Sequence, residues 1–227
     1  MRGLLYDIHG NLRALDAVLA DAGEAGVGRF LLGGDYALFG SQPAETVACL
    51  RELDAVWIRG NGERWTAAAG DAPDNEVVQG AIAFCREALG ATVVAELAAL
   101  PGEEVLGGVR FCHGSPVSDV RSFFPEPTAD EHELLEGVGE PVLVFGHTHL
   151  PFERQAERGT LLVNPGSVGM PFDEDPRAAW AILHDEGRVE QRRVGYDHDA
   201  AARAVRDLGG GWTETVARRI ERARFDA

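Results

Sequence analysis

Five short apolar runs punctuate the first two thirds of the chain, and each stops at polar residues beside a glycine. They are Gly3–Tyr6, Phe30–Leu32, Ala55–Ile58, Val109–Cys112 and the apolar part of Pro141–His149. Runs this short and continuous predict strands buried on both faces, as a parallel sheet makes them. Between them the period changes. Leu12, Leu15, Val18 and Leu19 predict a helix over Leu12–Ala22, closed by Gly23 and Gly26. Ser41 and Pro43 announce a second helix that continues through Leu53. The alanine-rich Asn75–Leu100 predicts a long helix stopped by Pro101-Gly102, and Ala129–Glu136 a short acidic one. Strands alternating with helices imply βα crossovers and a largely parallel sheet, with all five strand ends on one edge. Thr160–Val163, Ala178–Leu183 and Val189–Val194 are further strand-like pieces, and Gly187 marks a hairpin between the last two. From Asp197 onward the pattern is helical, Asp199–Leu208 and Trp212–Arg224, split by three glycines.

What ends the five runs is chemically uniform: Asp7 and His9, Asp35, Asn61, His113, and His147 with His149. Open α/β sheets place ligands at the carboxyl ends of their strands. Side chains alternate along an extended chain, so His147 and His149 are expected to point the same way. A polar sheet rim would explain any one of these residues. Carboxylate, amide oxygen and imidazole recurring together make mixed oxygen and nitrogen sites suited to Mn²⁺, Fe²⁺ or Zn²⁺, rather than thiolate-rich structural zinc.

Composition narrows the classes. At 227 residues the chain can bury a full core. A net charge of −16 argues against an extended nucleic-acid surface, although a metal-rich cleft can be locally positive. The acidic surface reads as a solubility feature. Three widely spaced cysteines, Cys49, Cys85 and Cys112, read as reduced core thiols of a cytoplasmic protein. No signal-peptide pattern is expected, and no apolar run nears the ~20 residues of a membrane span.

In order along the chain, D-x-H (Asp7, His9), G-D (Asp35), G-N-x-E (Asn61, Glu63), H-G (His113) and G-H-x-H (His147, His149) resemble the calcineurin-like metallophosphoesterase family. The closer likeness is to its bacterial and archaeal phosphodiesterase, diadenosine-tetraphosphatase-like branch. Asn164–Gly169 and Pro176-Arg177 are similar to the segment that follows the last histidines there. The resemblance implies an α/β fold, a four-layer α/β/β/α sandwich with mixed sheets, in which the strand pieces after Thr160 supply the second sheet. It implies one domain over residues 1–227, a core sandwich over 1–196 with C-terminal helices over 197–227. It implies two divalent cations, one held by Asp7, His9 and His149, the other by Asn61, His113 and His147, with Asp35 bridging. Asp35, Asn61 and His113 would carry the catalysis, and a bridging metal-bound hydroxide would attack the phosphate ester. The implied activity is that of a metal-dependent phosphoesterase, foremost a phosphodiesterase, on a small phosphate ester, nucleotide-derived compounds among the candidates.

Several positions stay open. Asn11 and Glu63 read either as residues orienting ligands or substrate, or as turn and capping residues. Many family members have histidine, thought to assist the leaving group, where this chain has Gly62. Ser115, Asp119, Arg121 and His132 are the candidates to replace it, His132 reading better as a surface residue. Gly62 keeps in view a scaffold that retains the fold without the catalysis, and because the motifs leave the substrate open, a phosphoprotein or monoester phosphatase is a further alternative. The loop 115–127 is expected to wall the cleft, with Arg121 as its phosphate contact. Phe123 and Phe124 would stack a nucleobase or pack the loop down. The last helix would dock on the domain or form a homodimer contact, its arginines a solvated face.

Overall fold

The computed structural model describes residues 1–157 and 159–226. All the predicted runs form strands, and these fall into two five-stranded sheets. In the first sheet β1 (Arg2–Leu5), β2 (Phe30–Leu32) and β3 (Ala55–Trp57) run parallel. In the second, β4 (Glu103–Leu106) borders β5 (Val109–Cys112), which runs parallel to β6 (Val142–Val144). Beyond β6, β7 (Phe152–Gln155) forms the far edge outside the parallel β8 (Leu161–Asn164). The hairpin of β9 (Ala178–Leu183) and β10 (Val189–Val194) returns to the first sheet, where β9 pairs antiparallel with β1.

Two expectations are thereby corrected. The five runs do not share one sheet edge: three end the first sheet and two the second, so the site is assembled across the gap between sheets. Of the pieces after Thr160 only β8 joins the second sheet; β9 and β10 extend the first. Strands β4 and β7 were not expected, because half-exposed edge strands rich in charge (Glu103, Glu104, Glu153, Arg154) carry no continuous apolar run.

The apolar runs serve two faces at once. Leu4, Tyr6, Leu31 and Ile58 meet Phe111, Val144 and Val163 between the sheets, whereas Leu5 and Leu32 face the helices. Leu143 and Leu162 face outward from the second sheet onto Phe123, Phe145 and Leu134. Three apolar layers thus separate the four layers of an α/β/β/α sandwich.

Helix α1 (Leu12–Glu24) starts at Asn11, whose Oδ1 accepts from Ala14 N–H. Helix α2 (Pro43–Arg51) has proline in its first turn, and the short α3 (Asn61–Ala67) follows β3 directly. Helix α4 (Glu76–Ala98) is broken at Gly90, where φ is 73°. By length and average composition α4 could cross a membrane, but Arg86 and Glu87 interrupt its apolar stretch and it packs against α2 and α3. The outer layer over the second sheet is thin, one short helix α5 (Glu131–Leu134) and the 115–127 loop. Helices α6 (His198–Asp207) and α7 (Thr213–Arg222) dock on the large core through Val205, Val216 and Ile220. Trp212 lies so close to Gly80 of α4 that a Cβ there would come within 2.6 Å of the indole.

Candidate active site

The ends of β1, β2, β5 and β6, with the start of α3, bring the strand-end residues together. Asp7, His9, Asp35, His147 and His149 all take left-handed backbone, with φ between 51° and 66°. Asp and His enter this region more readily than most residues, but each instance still costs on the order of 1–3 kcal/mol. The turn folds the chain back over the strand end and aims each side chain into the gap between sheets. This corrects the reasoning for the last two histidines. They lie beyond β6 in tight turns rather than along extended chain, and they diverge: His149 faces His9 and Asp7, His147 faces Asn61 and His113.

The ring nitrogens define what the cluster lacks. His9 Nδ1 lies 2.9 Å from Leu38 O, His113 Nδ1 2.8 Å from Gly33 O and His149 Nδ1 2.5 Å from Met170 O. A carbonyl only accepts, so each Nδ1 carries a proton, and a ring in its neutral form turns a bare Nε2 lone pair inward. Those lone pairs meet other acceptors. His9 Nε2 is 3.1 Å from His149 Nε2, and Asp7 Oδ1, buried with no hydrogen-bond partner, is 3.4 Å from the latter. On the other side Asn61 Oδ1 lies 3.0 Å from His113 Nε2 and 2.8 Å from His147 Nδ1. Turning that amide over would give both ring nitrogens a donor and put its oxygen on Gly62 N–H, whereas a cation at this place would draw the oxygen toward the rings. Asp35 spans both groups, Oδ2 3.8 Å from His9 Nε2 and Oδ1 3.5 Å from His113 Nε2. Buried acceptors facing acceptors are destabilising unless a cation lies between them. The donor set therefore fits divalent metal.

The supports are backbone groups and one buried carboxylate. Glu63 accepts from the N–H groups of Asp35, Tyr36 and Gly60, all within 2.9 Å, and so fixes the Asp35 turn against the start of α3. Gly62 N–H donates to Asp35 Oδ1 at 2.6 Å, and a Cβ on Gly62 would sit 2.8 Å from that oxygen. Gly146 is equally constrained, since a Cβ there would lie 2.5 Å from Asp7 Oδ2. Ser167 donates to Asp7 O, and Asn164 donates to Gly146 O and Thr148 Oγ1, so the Asn164–Gly169 segment pins both ligand turns. Burial pushes the rings of His9 and His147 down to about 3 and about 4, helped by neighbouring His149 and His113 respectively, which keeps both rings neutral. Burial also raises Asp35 to about 7, against the pull of His113, while His149, His113 and His9 overcome burial to hold Asp7 far below the usual range. A cation would reverse the Asp35 shift.

The remaining sequence candidates divide. Asn11 caps α1 and donates to Gly169 O and Tyr196 Oη, so its amide is fully engaged in structure. Arg121 lies on the cavity rim, exposed, with its guanidinium on Asp130 and Glu133. Asp119 is gripped by Arg64, Ser115 Oγ donates to Ser118 O, and His132 is exposed beside Ala129 O. Phe123 packs inward on Phe145, whereas Phe124 is 46% exposed on a cavity beside the cluster. That cavity, about 890 Å³, is lined by His9, Asp35, Asn61, His147 and His149 on its floor. Its walls are largely apolar: Trp65, Val77, Val78, Phe124, Phe172 and Phe225. Phe172, Arg219 and Phe225 were not anticipated from the sequence; only the length of chain after the last motif hinted that something lay there.

Residues 2–187 match the calcineurin-like phosphoesterase superfamily domain. Uncharacterized protein MJ0912 of Methanocaldococcus jannaschii is 30% identical over 220 residues, covering 87% of this chain and 88% of its own. The crystal structure of a metallophosphoesterase from Sphaerobacter thermophilus is similar with a TM-score of 0.84 and 26% identity, over 98% of both chains. Hypothetical protein PH1004 from Pyrococcus horikoshii OT3 shares the fold with a TM-score of 0.86 at 20% identity, over 98% of this chain and 99% of its own. With motifs, sandwich and metal-competent cluster in agreement, the chain belongs to the calcineurin-like phosphoesterase superfamily and is a metal-dependent phosphoester hydrolase.

Proposed function

We propose that the strand-end cluster holds two divalent cations and hydrolyses phosphodiesters. One ion would lie between Asp7, His9 and His149, the other between Asn61, His113 and His147, with Asp35 reaching both. The observation that carries this reading is the acceptor-only group of Asp7, His9 and His149, with the unpartnered Asp7 Oδ1 at its centre, and the reach of the Asp35 carboxylate from His9 to His113. Mn²⁺, Fe²⁺ and Zn²⁺ all suit such donors. Bound there, the ions would supply an activated water at neutral pH and positive charge against the phosphoryl oxygens. The chain's own residues do the rest. Three Nδ1–H bonds to carbonyls lock the rings. Glu63 and Gly62 hold Asp35 in place. The apolar cavity beside the centre supports a diester, because it offers the substrate's organic groups far more room than a bare phosphate needs.

The test is elemental analysis of protein saturated with Mn²⁺, followed by hydrolysis of bis-p-nitrophenyl phosphate and p-nitrophenyl phosphate. Two ions per chain and faster turnover of the diester are expected. A capacity of one ion would overturn the dinuclear assignment, and preference for the monoester would overturn the substrate class. Metal binding without hydrolysis of either ester would favour the scaffold alternative.

A further inference from the structure

One wall of the cavity comes from beyond the family match, which ends at residue 187. Arg219 on α7 and Phe225 in the turn after it line the same cavity as Asp35 and His149. A ladder of rings ties them to the centre. The His149 ring is stacked on Phe172 at 4.4 Å, Phe172 meets Phe225 edge-on at 5.5 Å, and the Arg219 guanidinium lies 4.2 Å over Phe225. Arg219 Nε donates to Phe225 O, which fixes the fork; among the described residues neither terminal nitrogen has a hydrogen-bond acceptor. The two cavity arginines differ in one respect. Arg121 is neutralised by Asp130 and Glu133, whereas Arg219 has no carboxylate partner among the described residues. Burial lowers its pKa with no acid to offset the effect. In a chain of net charge −16, Arg219 is the one of the two cavity arginines with no acid partner among the described residues. Stacking on Phe225 also pre-organises it, and the fork geometry matches phosphate oxygens. Of the large apolar side chains left exposed, Val120, Phe124 and Phe225 gather on this cavity, Phe225 at 63% exposure.

We infer that Arg219 is a specificity residue that binds a second phosphate of the substrate, remote from the ester being cleaved, with the flat organic part between them held against Phe124 and Phe225. The substrate class is then a phosphodiester that carries an aromatic group and a further phosphate. The inference rests on the phosphodiesterase reading for the cleaved end only.

A matched pair of esters tests it: thymidine 5′-(p-nitrophenyl phosphate) with and without a 3′-phosphate. The wild-type protein should prefer the 3′-phosphorylated ester by about tenfold in kcat/KM, through KM, the value of one charge-assisted contact. Arg219→Gln should abolish the preference and Arg219→Lys should restore part of it. Arg218→Gln, on an exposed residue of the same helix paired with Glu214, should leave the preference intact. Equal treatment of the two esters by the wild type, or an equal loss on both in Arg219→Gln, overturns the inference. Calorimetric binding of thymidine 3′,5′-bisphosphate against thymidine 5′-monophosphate makes the same comparison without turnover. If neither ester is cleaved while the bisphosphate binds more tightly in an Arg219-dependent way, the phosphodiesterase reading fails and the subsite stands. If esters are cleaved without discrimination, the subsite alone fails.

Discussion

At the strand ends, Asp7, His9, Asp35, His147 and His149 hold left-handed backbone, buried or nearly so, and are held by hydrogen bonds from the strand-end loops and the start of α3. On the cavity wall, Phe124, Phe172 and Phe225 come from loops and the turn after a helix; Phe172 and Phe225 meet edge-on, and Arg154 and Arg219 hold the backbone carbonyls of Phe124 and Phe225. The first region handles charge, where a displacement of a fraction of an ångström changes which acceptors face one another. The second handles organic surface, where the requirement is area and shape. A centre that polarises phosphate needs strain and exact partners, and a wall that selects substrates tolerates exposure and looser contacts.

Asp35→Asn puts the sharpest strain on this contrast. Because Asp35 reaches from His9 to His113, the variant should lose hydrolysis of bis-p-nitrophenyl phosphate on the order of 10³-fold, with both ions lost together in elemental analysis. Retention of one ion at full occupancy would show two independent sites. Gly62→Ala should come next. Its methyl would press on Asp35 Oδ1, and Mn²⁺ affinity should fall about 10- to 100-fold in a calorimetric titration. Gly62→His should fall in the same direction rather than gain an acid. Unchanged affinity would mean that the centre has more slack than its contacts imply.

The wall should respond differently. Phe225→Ala should raise KM for aromatic diesters by about tenfold while leaving kcat and metal content alone, the signature of a lost stacking contact. A fall in metal content would instead reveal that the ring ladder to His149 is part of the centre. Smallest of all is Arg121→Ala, expected to change KM less than about twofold, since the guanidinium is exposed and already engaged. A larger effect would mean that the pair with Asp130 and Glu133 opens to receive substrate.

The contrast also explains what the sequence could reveal. Polar residues closing apolar runs are easy to read, so Asp7, His9, Asp35, Asn61, His113, His147 and His149 were legible as a cluster, and strand endings told where they meet. The route was less legible: the spacing of His147 and His149 predicted convergence by alternation, whereas left-handed turns send them to opposite sides. Sheet membership of β9 and β10 was hidden because a period of two says which face a residue takes and nothing about the neighbouring strand. Phe123 and Phe124 are adjacent and alike, and only the register of the loop sends one inward and one to the cavity. Arg219 was indistinguishable from Arg218 and Arg222. Its orientation follows from the way α7 docks, which Trp212 sets against a glycine one helix away.

The left-handed turns carry a consequence for lifetime. Five such residues bias the unbound chain toward loosening at the place where its two sheets meet. For the two-cation centre proposed above, each ion binds the folded chain and not the unfolded one. At a hundredfold excess over its dissociation constant, one ion adds about 2.7 kcal/mol of stability. In a chain of this length that corresponds to roughly 5–10 °C of melting temperature. The ions would then act as staples joining strands of separate sheets, and metal supply would govern how long the folded protein survives as well as how fast it works. Under metal starvation the protein would soften across the gap between its sheets as its activity fell.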